Sequence, residues 1–133
     1  MAYLLDTNAC IRLLNPGPST VKTRLLSIPA TEIYLCSIVY AEPCYGAYKS
    51  QQIKRNSQRV EQFFQQFTSL PFEQRAGNLA GRIRTELESQ GLPIGSNDLL
   101  IAAIAIANNL VLVTHNVREF SRITDLSYED WEV

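Results

Sequence analysis

Before residue 125 the sequence contains only two aspartates, Asp6 and Asp98. Asp6 follows the apolar run Tyr3-Leu4-Leu5, and Asp98 opens the stretch Leu99-Leu100-Ile101-Ala102-Ala103-Ile104-Ala105-Ile106-Ala107. Each carboxylate borders a segment expected to be buried, where an ionised acid is costly without a partner. Glu42 is a third acid of this kind, set among Ile38, Val39, Tyr40 and Ala41. Taken singly, each has a plain structural explanation: Asp6 or Asn8 as a helix cap, Asp98 as a first-turn acid favoured by the helix dipole, Glu42 as a surface residue. Gathered in one crevice, the three would raise one another's pKa, and a hard divalent cation resolves that conflict. Magnesium prefers oxygen ligands and is commonly held by a few carboxylates together with substrate phosphate. It polarises a phosphodiester and lowers the pKa of a water. No Ser-His-Asp or Cys-His arrangement competes, because His115 is the only histidine and is expected to make a local hydrogen bond rather than serve as a base.

The elements that must position these acids follow from an alternation of short apolar runs with longer helical patterns. Ala2 to Leu5 reads as a buried strand, followed by a helix to about Leu14 that ends at Asn15-Pro16-Gly17-Pro18. Ser19 and Thr20 cap a helix to about Ser27; Ile33 to Cys36 is the next strand, and Ser37 offers a cap for a helix to about Ala47. From Ser50 to Phe67 the spacing of Ile53, Val60, Phe63, Phe64 and Phe67 predicts an amphipathic helix. A short strand over Leu70 to Phe72, a helix from Glu73 to Gln90 stopped by Gly91, and an apolar helix from Asn97 to Asn108 come next. Leu110 to Thr114 is a strand, Val117 to Phe120 a short helix, and Ile123 to Leu126 a terminal strand. Strands separated by helices need crossover connections, so the expected fold is α/β, a mainly parallel sheet flanked by helices on both faces. Its functional crevice lies beyond the carboxyl ends of the strands, where Asp6 and Thr114-His115-Asn116 emerge.

With 133 residues, 46% hydrophobic, the chain fits one domain, residues 1–133, around a single core. A net charge of −1 argues against coating nucleic acid or membrane by bulk attraction, but the charges are grouped. Lys49, Lys54, Arg55 and Arg59 occur between residues 49 and 60 with no acid among them. They form either a landing strip for a polyanion or a solvated helix face. Cys10, Cys36 and Cys44 are odd in number and widely spaced, which argues against a zinc site or a disulfide framework. No secretory leader or span of about 20 apolar residues is legible, so the expected place is the cytoplasm, with reduced thiols and no membrane contact.

Four segments together carry a resemblance: LLDTN at Leu4 to Asn8, SIVYAE ending at Glu42 with YGAYKS after it, LPIGSNDLLIAA at Leu92 to Ala103, and LVLVTHNVREF at Leu110 to Phe120. In this order they resemble the PIN-domain ribonucleases, and more narrowly the VapC toxins of bacterial toxin-antitoxin pairs. The tail YEDWE is similar to the family's ending. The resemblance implies a PIN-like three-layer domain and a Mg²⁺- or Mn²⁺-dependent endoribonuclease site acting on structured RNA such as tRNA. It also implies a cognate VapB-type antitoxin and a homodimer. Carried over by position, Asp6 and Asp98 are the principal metal ligands, and Glu42 and Asn116 complete the catalytic set. Lys49, Lys54, Arg55 and Arg59 are the RNA-binding candidates, with Arg82 and Arg84 behind them.

Two departures from the family pattern matter. Asn116 stands where many PIN domains have aspartate, so it supplies no charge, and Glu119 compensates only if its side chain turns into the crevice. Pro43 directly follows Glu42; inside a helix from Ser37 it costs ~3 kcal/mol, which predicts a kink or a late helix start. These changes leave a non-catalytic PIN-like protein, binding RNA or antitoxin, as the alternative reading. A phosphoacceptor domain is disfavoured because Asp6 lacks an acidic neighbour and no lysine closes the last strands, and DxD phosphatase chemistry because the motif reads Asp6-Thr7-Asn8.

Overall fold

The computed structural model describes residues 1–133. Five short strands form one sheet in the order β3-β2-β1-β4-β5, every neighbouring pair parallel. They are β1 (Tyr3–Leu5), β2 (Ile33–Cys36), β3 (Thr68–Leu70), β4 (Val111–Val113) and β5 (Tyr128–Glu129). The helices α1 (Thr7–Leu14), α2 (Thr20–Leu26), α3 (Ser37–Lys49), α4 (Ile53–Gln65), α5 (Gln74–Ser89), α6 (Ser96–Ala107) and α7 (Val117–Phe120) make the crossovers. This is the three-layer α/β arrangement that the alternating pattern predicts, because parallel neighbours cannot be joined by hairpins. Leu4 lies beside Tyr34 on one side and Leu112 on the other, so β1 is held in register by two ladders. From β1 the chain winds outward through β2 and β3, then returns to the opposite side of β1 for β4 and β5. The reversal opens a crevice above the carboxyl ends of β1 and β4.

The core explains why this order is stable. Leu4, Leu5, Leu35 and Leu112 are fully buried, as befits strands covered on both faces. Helix α6 is apolar on nearly every side: Leu99 and all five residues from Ile101 to Ala105 are buried. Burying Ile101 and Ile104 contributes roughly 1.5–3 kcal/mol each. Its small residues let α5 approach with its own stripe of Ala76, Ala80, Ile83 and Leu87. Both helices stop with a residue in the left-handed region, Gly91 at φ 69° and Asn109 at φ 55°. In each, the next amide bonds back across the last turn, Leu92 N–H to the Leu87 carbonyl and Leu110 N–H to the Ala105 carbonyl, both 2.9 Å. Phe63 packs edge-on against both Phe64 and Phe67, with centroids 5.6 and 5.5 Å apart; Phe64 is in the core, and Phe63 and Phe67 pack against it. No helix is long and apolar enough to cross a membrane.

Four local expectations change. Helix α3 starts at Ser37, with Cys36 rather than Ser37 as its cap residue, and runs through Pro43 to Lys49, so there is no late start. The Pro43 ring is buried at a cleft also lined by Ile11, Leu14 and Val60, so its apolar ring is largely removed from water. β3 spans Thr68–Leu70 instead of Leu70 to Phe72, because Pro71 has no N–H with which to continue the ladder. The last strand is Tyr128–Glu129 rather than Ile123 to Leu126. Ile123 and Leu126 are buried core residues, but a turn joins them, with Leu126 N–H bonded to the Ile123 carbonyl at 3.3 Å.

Candidate active site

Asp6 is the residue immediately after β1, and its side chain caps α1 by accepting the Ala9 N–H at 2.8 Å. Only 3% of Asp6 is exposed. Thr114, equally buried at the end of β4, hydrogen-bonds the same carboxylate through its side chain. Burial pushes the Asp6 pKa up to about 6, against the pull of the Ala9 and Thr114 hydrogen bonds; the nearby charges of Asp98 and Glu132 push the same way as burial. The expected cap and the expected crevice acid are therefore one residue in both roles.

Asp98 sits in the first turn of α6, half-buried. Asn116 reaches it across the crevice, its amide Nδ2 donating to Asp98 Oδ2 at 3.4 Å and to Glu119 Oε2 at 3.0 Å. The Asn116 N–H in turn donates to Thr114 Oγ1 at 3.0 Å. Asp98 is raised from the ordinary carboxylate range by burial and then by the Glu119 charge, with the Asn116 amide opposing. Glu119 is lowered, first by the Gly95 N–H that donates to Oε1 at 2.6 Å and next by Asn116, with Arg122 and Arg118 adding positive charge. Two neighbouring carboxylates thus part in opposite directions, because one is desolvated and the other is richly hydrogen-bonded.

Asp6, Asp98 and Asn116 consequently share one crevice at the β1/β4 reversal. Glu119 joins them as the acid whose role the sequence leaves conditional; its signal is the three-residue spacing from Asn116 at the start of α7, which puts both on one side of a single turn. Glu132 near Asp6 has no local signal, since only the path of the C-terminal tail brings it there. That tail is strapped down by Arg12 to Glu132 at 3.2 Å and by Trp131 edge-on to Tyr3 at 5.4 Å. His115 makes the expected local contact, its Nδ1 2.9 Å from Asp130 Oδ2.

Glu42 makes no hydrogen bond or ion pair with these residues. It is exposed on α3 and lines a cleft of about 290 Å³ with Asn15, Asn56 and Arg59. No group of three His, Cys, Asp or Glu side chains converges as a ready-made metal cage. Among the basic candidates, Arg59 donates to the Leu14 carbonyl in that cleft, Arg55 bonds Gln52 at 3.2 Å, and Lys49 lies 5.5 Å from the Tyr45 ring. Lys54 is exposed. Arg82 and Arg84 are engaged on α5, pairing with Glu86 and Asp125 and with Glu88.

Residues 3–126 match the PIN domain family. Ribonuclease VapC2 of Rickettsia felis is 41% identical over 133 residues, 99% of each chain. This chain is a PIN-domain protein of the VapC family. Among its VapC relatives, a tRNA(fMet)-specific endonuclease VapC of Shigella flexneri is 37% identical over 131 residues, 98% of each chain. Agreement extends to solved VapC structures. The crystal structure of VapBC2 from Rickettsia felis bound to a promoter DNA fragment aligns with a TM-score of 0.90, covering 98% of this chain and 99% of that one at 41% identity. That of VapBC-1 from nontypeable Haemophilus influenzae aligns at 0.89, with 38% identity and 98% coverage of each chain.

Proposed function

We propose that this VapC chain is a metal-dependent endoribonuclease toxin that hydrolyses phosphodiester bonds in structured RNA, with tRNA as the substrate class. A VapB-type antitoxin neutralises it, and the active unit is a homodimer. The substrate class and the partner follow from the relatives, among them a tRNA(fMet)-specific endonuclease and VapBC complexes. The observation that supports the chemistry most is the crevice pairing of Asp6 and Asp98, both acids pushed upward. A buried carboxylate raised in this way lacks compensating positive charge, and its hard oxygen suits a hard cation.

Asp6 and Asp98 would hold Mg²⁺ or Mn²⁺, a hard cation that suits a site with few protein ligands. When bound, the cation supplies charge stabilisation at the phosphodiester and acidifies water. Thr114 and the Ala9 N–H fix the Asp6 carboxylate in place. Asn116 spans Asp98 and Glu119, so one amide holds two acids at a set separation. Glu119, kept ionised, orients the attacking water by accepting its hydrogen. Glu42 positions water or a second cation from the cleft side, and Lys49, Lys54, Arg55 and Arg59 hold the RNA backbone.

Purified protein incubated with total cellular RNA in magnesium, manganese or chelator, beside an Asp98→Ala control, tests this reading. Cleavage that needs the metal and disappears in the variant is expected. Absence of both cleavage and metal binding overturns the enzyme, and undiminished cleavage by the variant overturns the site.

A further inference from the structure

The segment 92–95 between α5 and α6 has no regular structure, and Gly95, the cap residue of α6, provides no side-chain cap. Yet Asp98 lies only three residues further on, so the placement of this loop decides where the Asp98 carboxylate points. Two contacts from α7 and the residue that follows its C-cap hold the loop. Glu119 Oε1 accepts the Gly95 N–H at 2.6 Å, and Arg122 Nη1 donates to the Pro93 carbonyl at 2.7 Å. Residues 119 and 122 are one turn apart and share a face. That face is set by its opposite side, where Phe120 is fully buried and Ile123 is 5% exposed.

We propose that Arg122 is a positioning residue for the crevice: by gripping Pro93 while Glu119 grips Gly95, it fixes the first turn of α6 and hence Asp98. Its guanidinium also brings positive charge to Glu119, so one side chain both steadies the loop and favours the ionised acid. Arg122 is half-buried, and its fork of fixed donors reaches the Pro93 carbonyl while keeping a positive charge, which a neutral amide cannot do. Outer contacts of this kind typically change metal affinity or activity by about 10- to 100-fold when removed.

The proposal rests on the crevice being the metal and cleavage site, and the experiment separates the two. Arg122→Gln and Arg122→Lys are compared with the unaltered protein and with Asp98→Asn. The readouts are hydrogen exchange of the 94–99 amides without metal, Mn²⁺ affinity without RNA, and kcat and KM for RNA cleavage. Arg122→Gln is expected to speed exchange in the loop, weaken Mn²⁺ binding and lower kcat by roughly 10-fold or more, with KM little changed. Arg122→Lys recovers part of each loss. If exchange, Mn²⁺ affinity and kcat stay unchanged while Asp98→Asn abolishes metal binding and cleavage, the positioning role is wrong and the site stands. If KM alone rises, Arg122 contacts RNA instead, and the proposal also fails. If Asp98→Asn retains metal binding and cleavage, the underlying site assignment falls.

Discussion

The crevice at the β1/β4 reversal and the cleft between α1, α3 and α4 both carry acids that the sequence singles out, but they treat charge in opposite ways. In the crevice Asp6 and Asp98 are desolvated, face other acids and are pushed upward. In the cleft Glu42 is exposed and shares its walls with Arg59. One region gathers desolvated carboxylates whose nearest charges include other acids, while the other sets an exposed acid in a cleft with Arg59. Chemistry is expected where the field is unrelieved, and backbone recognition where charge is screened and redundant.

Substitutions at the two regions should differ accordingly. The largest effect is expected from Asp6→Asn. It removes a ligand charge, worth several kcal/mol in metal catalysis, so cleavage falls on the order of 10³-fold. The same change should stabilise the metal-free protein at alkaline pH. A folded-state pKa raised from 3.8 to about 6 favours folding when Asp6 is protonated; that contribution is fully present below pH 3.8 and is lost as pH rises through about 6. The loss approaches roughly 3 kcal/mol at pH 8. Asparagine keeps an oxygen for the Ala9 N–H and escapes the penalty, so thermal melts of the two proteins in chelator should diverge with rising pH. A variant that melts lower at pH 8 contradicts the buried-charge account.

Glu42→Gln tests whether the cleft acid belongs to the chemistry. An intermediate loss, about 10-fold in kcat, is expected of a group that orients water without itself transferring the proton. Cleavage rates at saturating RNA decide it, and an unchanged kcat would confine chemistry to the crevice.

The smallest effect is expected from the basic strip. Lys54→Ala with Arg55→Ala should raise KM a few-fold at low salt, leave kcat intact and converge on the unaltered protein at high salt. If both residues contact phosphates of an unpaired strand, the slope of log affinity against log salt becomes shallower by about 1.4. A loss independent of salt would move those residues out of backbone binding.

Much of this contrast is legible in the amino-acid sequence alone. Asp6 and Asp98 stand out because each interrupts a boundary between apolar segments, and the strand-helix alternation itself dictates a parallel sheet with a crevice above it. Asn116 also falls where its strand-end position places it. What local pattern does not reveal depends on tertiary paths. Glu119 turns inward because Phe120 is drawn into the core, and Glu132 reaches Asp6 because the tail is clamped by Arg12 and Trp131. Pro43 reads as a helix breaker because its cost is local, while its burial at the cleft beside α1 and α4 depends on the tertiary fold. The last strand lies beyond its expected place because Ile123 and Leu126 have the burial of a strand but the hydrogen bonding of a turn.

The double ladder on β1 has a consequence for synthesis. β1 is the first strand made, yet one of its two neighbours, β4, is separated from it by more than a hundred residues of chain. During translation Asp6 therefore leaves the ribosome long before Asp98, Thr114 and Asn116 exist to meet it. A nascent chain has half a crevice, which is completed only once β4 and α7 have been made. If the crevice is the cleavage site, an RNA-cutting enzyme built this way stays inactive until the sheet closes.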